Sequence, residues 1–584
     1  MKYDDKWHRQ SPYAPPRGVR GAPNGEEAQH ARGNRTGPLA SAVASLAALF
    51  WLLTPTQAVG AAERRVTVTK SAPPRVTLVN FAELARREAA APRRPPTRRA
   101  VPFMPTPAKR PPRARATPQT EAAASVRLLP RAPIPLSPAL AANFEALGDD
   151  GTSIPPDTQG AVGPNHLMVT LNSQVRIQDR SGTALSTVTL EGFWSGTGAT
   201  GVFDPKVAYD HMSNRWMFCA VSDRSSAAAS LLVATSETSD PTGTWDLYRM
   251  DADPTDTYWA DYPSMGFNKD WIVVTYNAFA NADNTFIQAD IYAFKKADLY
   301  AGTAATNTKF ADDGASTTVP ATTFDSSLAT MYLVQNLIGN TEVEPGVFRG
   351  FLEVSTITGS VGSEVYTFGT AYPESSNTWN DAPPGGADFA PQKDSTDKIQ
   401  AGDSRLLSLV YRNGTLWATH TVFLPADTPA TRCSVQWWQF QTDGTIQQFG
   451  RIDDETGAMF RAFPSLAVNS QNDVLIGYST FSGTQYASGS YSFRAGTDSA
   501  NTMQSEGLLK AGEATYFKDF GTGANRWGDY SNSVVDPVND LDMWTIQEYA
   551  ETPVAGEDRW GTWWGKIQVT PVGATRRRSQ VTSD

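Results

Sequence analysis

The sequence predicts an all-β fold: a single β-propeller, with seven blades (six if one weak repeat is not a blade), preceded by a disordered N-terminal region. Three observations predict it. Beyond residue 145 or so, helical periodicity gives way to short alternating runs rich in Val, Ile, Tyr, Trp and Thr, separated by Gly, Asn, Asp and Pro turns. Several of these runs share one internal order, an Asp, a short apolar strand, a tight polar turn and a longer apolar strand. The copies recur at intervals of about 47–78 residues, enough for a four-stranded blade (about 40–50) plus a loop.

The chain begins with a segment that differs from the rest. Residues 1–135 hold 23 Lys+Arg against 8 Asp+Glu, a net +15, and residues 136–584 hold 27 against 52, a net −25. Within 1–61, the apolar run Leu39–Leu53 follows arginines and precedes small residues, the layout of a secretory signal peptide. At 15 residues it is short for a membrane span. Its long leading region implies either a later true start or an uncleaved anchor, the one expected tie to a membrane. Residues 62–135 are basic and dense in proline, with almost no apolar period, and read as a disordered linker. The tract has no interleaved aromatics for base stacking, so a solvated spacer is the simpler reading.

Residues 136–570 form the expected propeller domain, and 571–584 a flexible tail. The repeat copies are "DTQGAVGPNHLMVTLN" from Asp157, "DPKVAYDHMSNRWMFCAVSD" from Asp204, "DYPSMGFNKDWIVVTYN" from Asp261, "DSRLLSLVYRNGTLWATHT" from Asp403 and "DYSNSVVDPVNDLDMWTIQEY" from Asp529. "FPSLAVNSQNDVLIGYST" from Phe463 lacks the aspartate, and "FDSSLATMYLVQN" with Asp325 is a weaker copy. A two-sheet sandwich also explains alternation and turns, but not five Asp-headed copies. "SETSDPTGTWDLY" places Asp240, Gly243 and Trp245 much as an Asp-box turn does, with one extra residue. "DRSGTAL" and "TDGTIQ" read as hairpin turns whose glycines tolerate positive φ.

The stretches "PPDTQGAVGPNHLMVTLNSQVRIQDRSG", "FDPKVAYDHMSNRWMF", "SDPTGTW", "DYPSMGFN" and "RWGDYSNSVVDP…MWTIQEYA…WGTWW" resemble a group of secreted bacterial proteins with a sialidase-like (BNR-type) propeller, mostly of unassigned function. The resemblance covers about residues 145–570. It implies the propeller fold and export to the cell surface, periplasm or medium. Sialidases grip a carboxylate with an arginine cluster and use a Tyr–Glu nucleophile pair; no arginine triad is legible in this sequence.

If each copy is the inner hairpin of a blade, Asp157, Asp204, Asp261, Asp403 and Asp529 ring one mouth of the central channel. The second strands return to that mouth at Asn172, Asp223, Asn277, Thr421 and Glu548. Such a carboxylate ring must be compensated. In the first reading each Asp accepts backbone N–H groups and holds neighbouring blades in register. In the second, Asp157, Asp204, Asp261, Asp403 and Asp529 coordinate Ca²⁺ through oxygen ligands. In the third, Asp529 with Glu548, or Asp204 with Asp223, acts as acid and base on a glycosidic bond. Asp157, Asp261, Asp403, Asn277, Tyr262, Tyr530, Trp259 and Trp527 would contact the ligand, the aromatics by stacking on sugar rings or by packing between blades.

Other chemistry is thinly represented. No HExxH or GxSxG motif occurs, and His166 and His211 fall in turns expected on the face opposite the mouth. Cys219 and Cys433 belong to different blades, so no disulfide is expected. The charge of the folded part disfavours nucleic acid. The function expected is that of an exported monomer binding a glycan or cell-envelope polymer, or acting as an adhesion module at or outside the cell surface. A polysaccharide-active hydrolase or lyase is the alternative.

Overall fold

The computed structural model describes residues 64–70, 76–92, 97–105, 134–386 and 388–571. The expected signal segment and residues 572–584 of the tail lie outside the described residues, as do 62–63, 71–75, 93–96 and 106–133 of the expected linker.

Seven four-stranded antiparallel meanders follow one another along the described chain. Their innermost strands are Gln159–Val162, Phe203–Asp210, Tyr258–Phe267, Val319–Pro320, Leu406–Arg412, Phe460–Val468 and Asn532–Val535, which define blades 1 to 7. Each innermost strand packs on the next, and that of blade 7 on that of blade 1, so the sheets close into a propeller. Blade 7 takes its outermost strand, Leu140–Gly148, from the segment that precedes blade 1. The ring is thereby latched by sheet hydrogen bonds, which the sequence does not reveal.

The wedge-shaped gaps between blades need bulk, and aromatic residues supply it. The twelve largest fully buried side chains are all tryptophans. Trp216, Phe218 and Trp245 of blade 2 pack with Phe193 and Trp194 of the short helix Leu190–Trp194 that follows blade 1. Each such ring removes about 150–250 Å² from water. The three Asp-containing turns join third to fourth strands in blades 1, 2 and 5, and close alike: Asp179 accepts the N–H of Ser181 (2.8 Å), Asp240 that of Thr242 (2.9 Å) and Asp443 that of Thr445 (2.9 Å). In the second of these, Trp245 also donates to the Pro241 carbonyl at 2.9 Å.

Six of the seven inner hairpins lie where the repeat predicts them. Blade 4 is the exception. Its innermost strand is only Val319–Pro320, and Asp325 lies in the turn leading to the second strand, Met331–Glu344, bonding Ser327. The weak copy therefore marks the hairpin's turn, not its start. The two-residue strand Thr322–Thr323 fills the gap by bridging Phe267 of blade 3 to Val410 and Tyr411 of blade 5 in parallel.

The disordered reading of 62–135 does not hold for its described stretches. Val66–Lys70 adds a fifth strand to blade 3, and Thr77–Asn80 adds one to blade 2. The helix Phe81–Ala90 lies against the outer strand of blade 1, where Glu88 accepts the N–H and hydroxyl of Thr189. Arg99–Ala100 then pairs in parallel with Ser153–Ile154. A segment too poor in apolar residues to fold alone is ordered by edges that the blades supply.

The latch gives a direct test. Thr562 Oγ1 accepts the Leu147 N–H (3.0 Å) and donates to the Leu147 carbonyl (2.8 Å), both buried. Thr562→Val keeps the shape and orphans both groups, so chemical denaturation should show a loss of about 1–3 kcal/mol.

Candidate functional site

The inner strands reach the mouth in a strained conformation. Asp157, Asp204, Tyr262, Thr317 and Phe463 have φ between +45° and +56°, a region that non-glycine residues occupy at a cost. In blades 2, 3 and 6 the strained residue precedes a proline and sits in a β-bulge. Bulges re-aim side chains, and here they gather polar groups at the centre of the ring.

Those groups staple each blade to the next. Asn172 of blade 1 donates to Asp157 Oδ2 (2.6 Å) and accepts the Asp204 N–H of blade 2 (2.7 Å). Asp204 accepts the Tyr262 N–H of blade 3 (3.1 Å). Asn277 of blade 3 accepts the Thr317 N–H (2.7 Å), and Asn336 of blade 4 donates to Ser404 before blade 5 (2.7 Å). Thr421 of blade 5 accepts the Phe463 N–H of blade 6 (3.0 Å), and Ser479 of blade 6 accepts from the indole of Trp527 (3.1 Å). The Asp529 N–H of blade 7 returns to Asp157 (2.9 Å). Asp157, Asp204, Asn277 and Asp529 thus take part in register contacts of the kind the first reading describes.

The carboxylates are compensated by cations and by one another. Arg405 grips Asp403 through Nε (2.7 Å) and a terminal nitrogen (2.8 Å), and Arg526 grips Asp529 at 3.0–3.2 Å. Asp157 and Asp204 lie close enough to act on each other electrostatically. Burial, with the charges of Asp529 and Asp204, pushes Asp157 well above the usual carboxylate range. Burial and the Asp261 charge push Asp204 up to about 7. Asp261 rises to about 7 through burial, against the pull of Arg405 and Arg224. Glu548 also rises through burial; one oxygen accepts the Gly528 N–H (2.9 Å) and the other is unpartnered. Among the described residues, no three His, Cys, Asp or Glu side chains are grouped so as to hold one ion.

A column of alternating cations and rings runs through this cluster. Phe103 lies 4.8 Å from the Arg405 guanidinium, which lies 4.1 Å from the Tyr262 ring centre. Tyr262 and Tyr530 are 4.5 Å apart, and the Lys206 ammonium sits 2.9 Å beyond Tyr530. Burial pushes Lys206 down to about 7. Above the column is a mouth cavity of about 620 Å³, lined by Phe103, Asn336, Asp381, Gln400, Arg405 and Arg526 among others. Below it a channel of about 130 Å³, lined by Lys206 and inner-strand residues of all seven blades, continues through the ring. The column separates the two spaces, so the mouth is a blind pocket.

Several sequence expectations change. Asp223 is bonded to Thr200, Ser222 and Arg249, so it does not pair with Asp204; its neighbour Arg224 is the residue that acts on Asp204 and Asp261. Trp259 and Trp527 are fully buried and offer no face to a sugar. Trp259 donates to Asn284, and Trp527 packs on Phe481 and Tyr516. Tyr262 and Tyr530 are buried within the column. His420 is buried between the Ser404 carbonyl and the Trp438 indole and is held neutral, its pKa pushed down to about 3 by burial. The residues missed were the cations. Their signal was legible: "DPK", "DSR" and "RWGD" each place a cation within three residues of a repeated aspartate.

No family model matches the sequence, and no curated protein matches it. Among solved structures, similarity is distant. The phage phi92 endosialidase is 9% identical over 65% of this chain and 68% of its own, with a TM-score of 0.37. The Trypanosoma rangeli sialidase in complex with sialic acid is 10% identical over 69% and 59%, at 0.34. The α-L-arabinofuranosidase Arb93A from Fusarium graminearum is 9% identical over 74% and 98%, at 0.36. Likeness at this level says nothing about what the mouth binds. The topology itself defines the class, an all-β propeller with a buried, charge-compensated mouth.

Three outcomes are expected. Asn172→Leu removes the link between blades 1 and 2 and leaves one Asp157 oxygen and the Asp204 N–H without their partner, so stability should fall by about 3 kcal/mol in denaturant titration. Because arginines and backbone N–H groups balance the carboxylates, a chelator should leave the melting temperature unchanged. Folded Asp204 and Asp261 hold protons that the unfolded chain releases, so they favour the native state less as pH rises from about 4 to about 7. Lys206 acts oppositely above that range, since the unfolded chain then holds the extra proton. Melting temperature against pH should therefore fall less steeply across the acid window in Asp261→Asn than in the wild type.

Proposed function

We propose that the mouth pocket binds carbohydrate or a related envelope polymer, and that the chain is an exported binding module. The observation that carries this is the blind cavity of about 620 Å³, within the range of small-molecule sites. Its wall combines planar amide, carboxylate and guanidinium groups (Asn336, Gln400, Asp381, Asp403, Arg405, Arg526) with the apolar faces of Phe103 and Leu337. Planar groups that donate and accept in pairs suit vicinal hydroxyls, and flat apolar faces suit the C–H faces of sugar rings. Export rests on the signal-like run Leu39–Leu53, and a sialidase-like affiliation on the motifs of the inner hairpins.

One observation favours catalysis as a second reading. Burial pushes Asp204 and Asp261 up to about 7, a range that suits acid–base work on a glycosidic bond. Both are buried and line neither cavity, so catalysis would require the column to open. Asp529 with Glu548, on which the Asp529 charge acts, is the other candidate pair.

A polysaccharide panel tests both readings in one experiment. Binding by calorimetry should weaken at least about tenfold in Ala524→Trp, which fills the cavity from its rim without touching an ion pair. Release of reducing ends or unsaturated products, abolished in Asp261→Asn while binding persists, would establish the enzyme. Binding without product leaves the module. No binding by the wild type or by a chain whose mouth is cleared would overturn both.

A further inference from the structure

We infer that the mouth is also a docking site for an extended peptide, and that its resident ligand is the chain's own segment Arg99–Met104. This segment belongs to no blade, and the ring is latched by Leu140–Gly148, downstream of it. It is held as a bound peptide is held, chiefly through its backbone. The N–H groups of Arg99 and Val101 donate to the carbonyls of Thr152 and Ile154, each at 2.7 Å, in a parallel strand addition. The Val101 carbonyl accepts from Arg526 Nε (3.0 Å), and the Met104 carbonyl from Arg405 (2.7 Å). Two buried arginines from blades 7 and 5, each already gripping an aspartate, thus aim a remaining donor at peptide oxygens.

The side chains add selectivity. Arg99 reaches between blades 1 and 2 to the carbonyls of Val202 (2.6 Å) and Asn172 (3.1 Å). Phe103 lies over the guanidinium groups of Arg405 (4.8 Å) and Arg526 (5.7 Å) and caps the column. Met104 sulfur lies 3.9 Å from Arg224. Pro102 and Pro105 bring no N–H group that the mouth would have to satisfy. The fitting partner class is therefore an extended basic–aliphatic–Pro–Phe segment. Phe103 and the prolines also line the mouth cavity, so the segment forms part of the wall that an external ligand meets.

The inference shares its cavity with the carbohydrate reading but does not depend on it. The test uses the full chain and a labelled peptide of sequence TRRAVPFMP, residues 97–105. In the variant Val101→Pro/Phe103→Gly, the strand hydrogen bond to Ile154 and the arginine cap are lost, clearing the mouth. This variant should bind the peptide about 10–100-fold more tightly than the wild type, whose tethered segment acts at roughly millimolar effective concentration. A peptide carrying the Phe103→Ala change should bind at least about tenfold more weakly. Equal binding by both chains, or none by a variant that still melts cooperatively, overturns the inference. Should the variant fail to fold, hydrogen exchange on the wild type decides: the Arg99 and Val101 amides should exchange by local release, faster than blade amides. Exchange only with global unfolding overturns it. A polysaccharide that binds the cleared variant and is displaced by peptide supports both readings. Polysaccharide binding without peptide binding sinks this one alone, and the converse sinks the carbohydrate reading alone.

Discussion

Six carboxyl groups buried at the centre of one ring are the constraint to which the rest of the molecule answers. Asp157, Asp204, Asp261, Asp403, Asp529 and Glu548 are each less than a tenth exposed. Unpaired, each would cost several kcal/mol. The structure meets this in three ways. Arginines grip Asp403 and Asp529, burial shifts Asp157, Asp204, Asp261 and Glu548 toward their neutral forms, and backbone N–H groups of neighbouring blades take up acceptors. The positive φ at Asp157, Asp204 and Tyr262 belongs to the same solution, because it delivers those N–H groups and side chains to the centre.

A mouth built this way is stiff. The staples couple each blade to its neighbours, and the column from Phe103 to Lys206 closes the axis between the two cavities. Each cation–ring contact contributes about 0.5–2 kcal/mol, more when desolvated. Stiffness favours a preformed pocket over one that closes around its ligand, and places selectivity in the rim and in the segment lying across it.

That segment shows how composition can mislead. Arginine and proline make residues 62–135 read as a solvated spacer, and no apolar period contradicts it. Yet Arg64 bonds Asp312 (2.6–2.7 Å) and Glu353 (2.6 Å), and Arg99 bonds two backbone carbonyls. Order here comes from acceptors and strand edges that exist only once the blades have formed, so no property of the segment alone could reveal it.

The sequence by itself determined the class of fold, six of seven inner hairpins and the convergence of five aspartates on one mouth. All of these follow from local periodicity: alternation of two, turn residues, and one order of residues repeated along the chain. Blade 4 escaped because its inner strand is two residues long and carries no pattern. Only the tertiary structure decided which carboxyl meets which partner. Asp157 accepts from Asp529, 372 residues away, as well as from Asn172 of its own blade; Asp204 accepts from Tyr262 and Tyr530, while Asp223 bonds elsewhere; and Arg405 lies between Phe103 and Tyr262. Those pairings depend on how neighbouring sheets twist and pack and on which way a bulge turns a side chain. Residues tens to hundreds of positions apart set them, and a repeat read along one chain carries no record of that geometry.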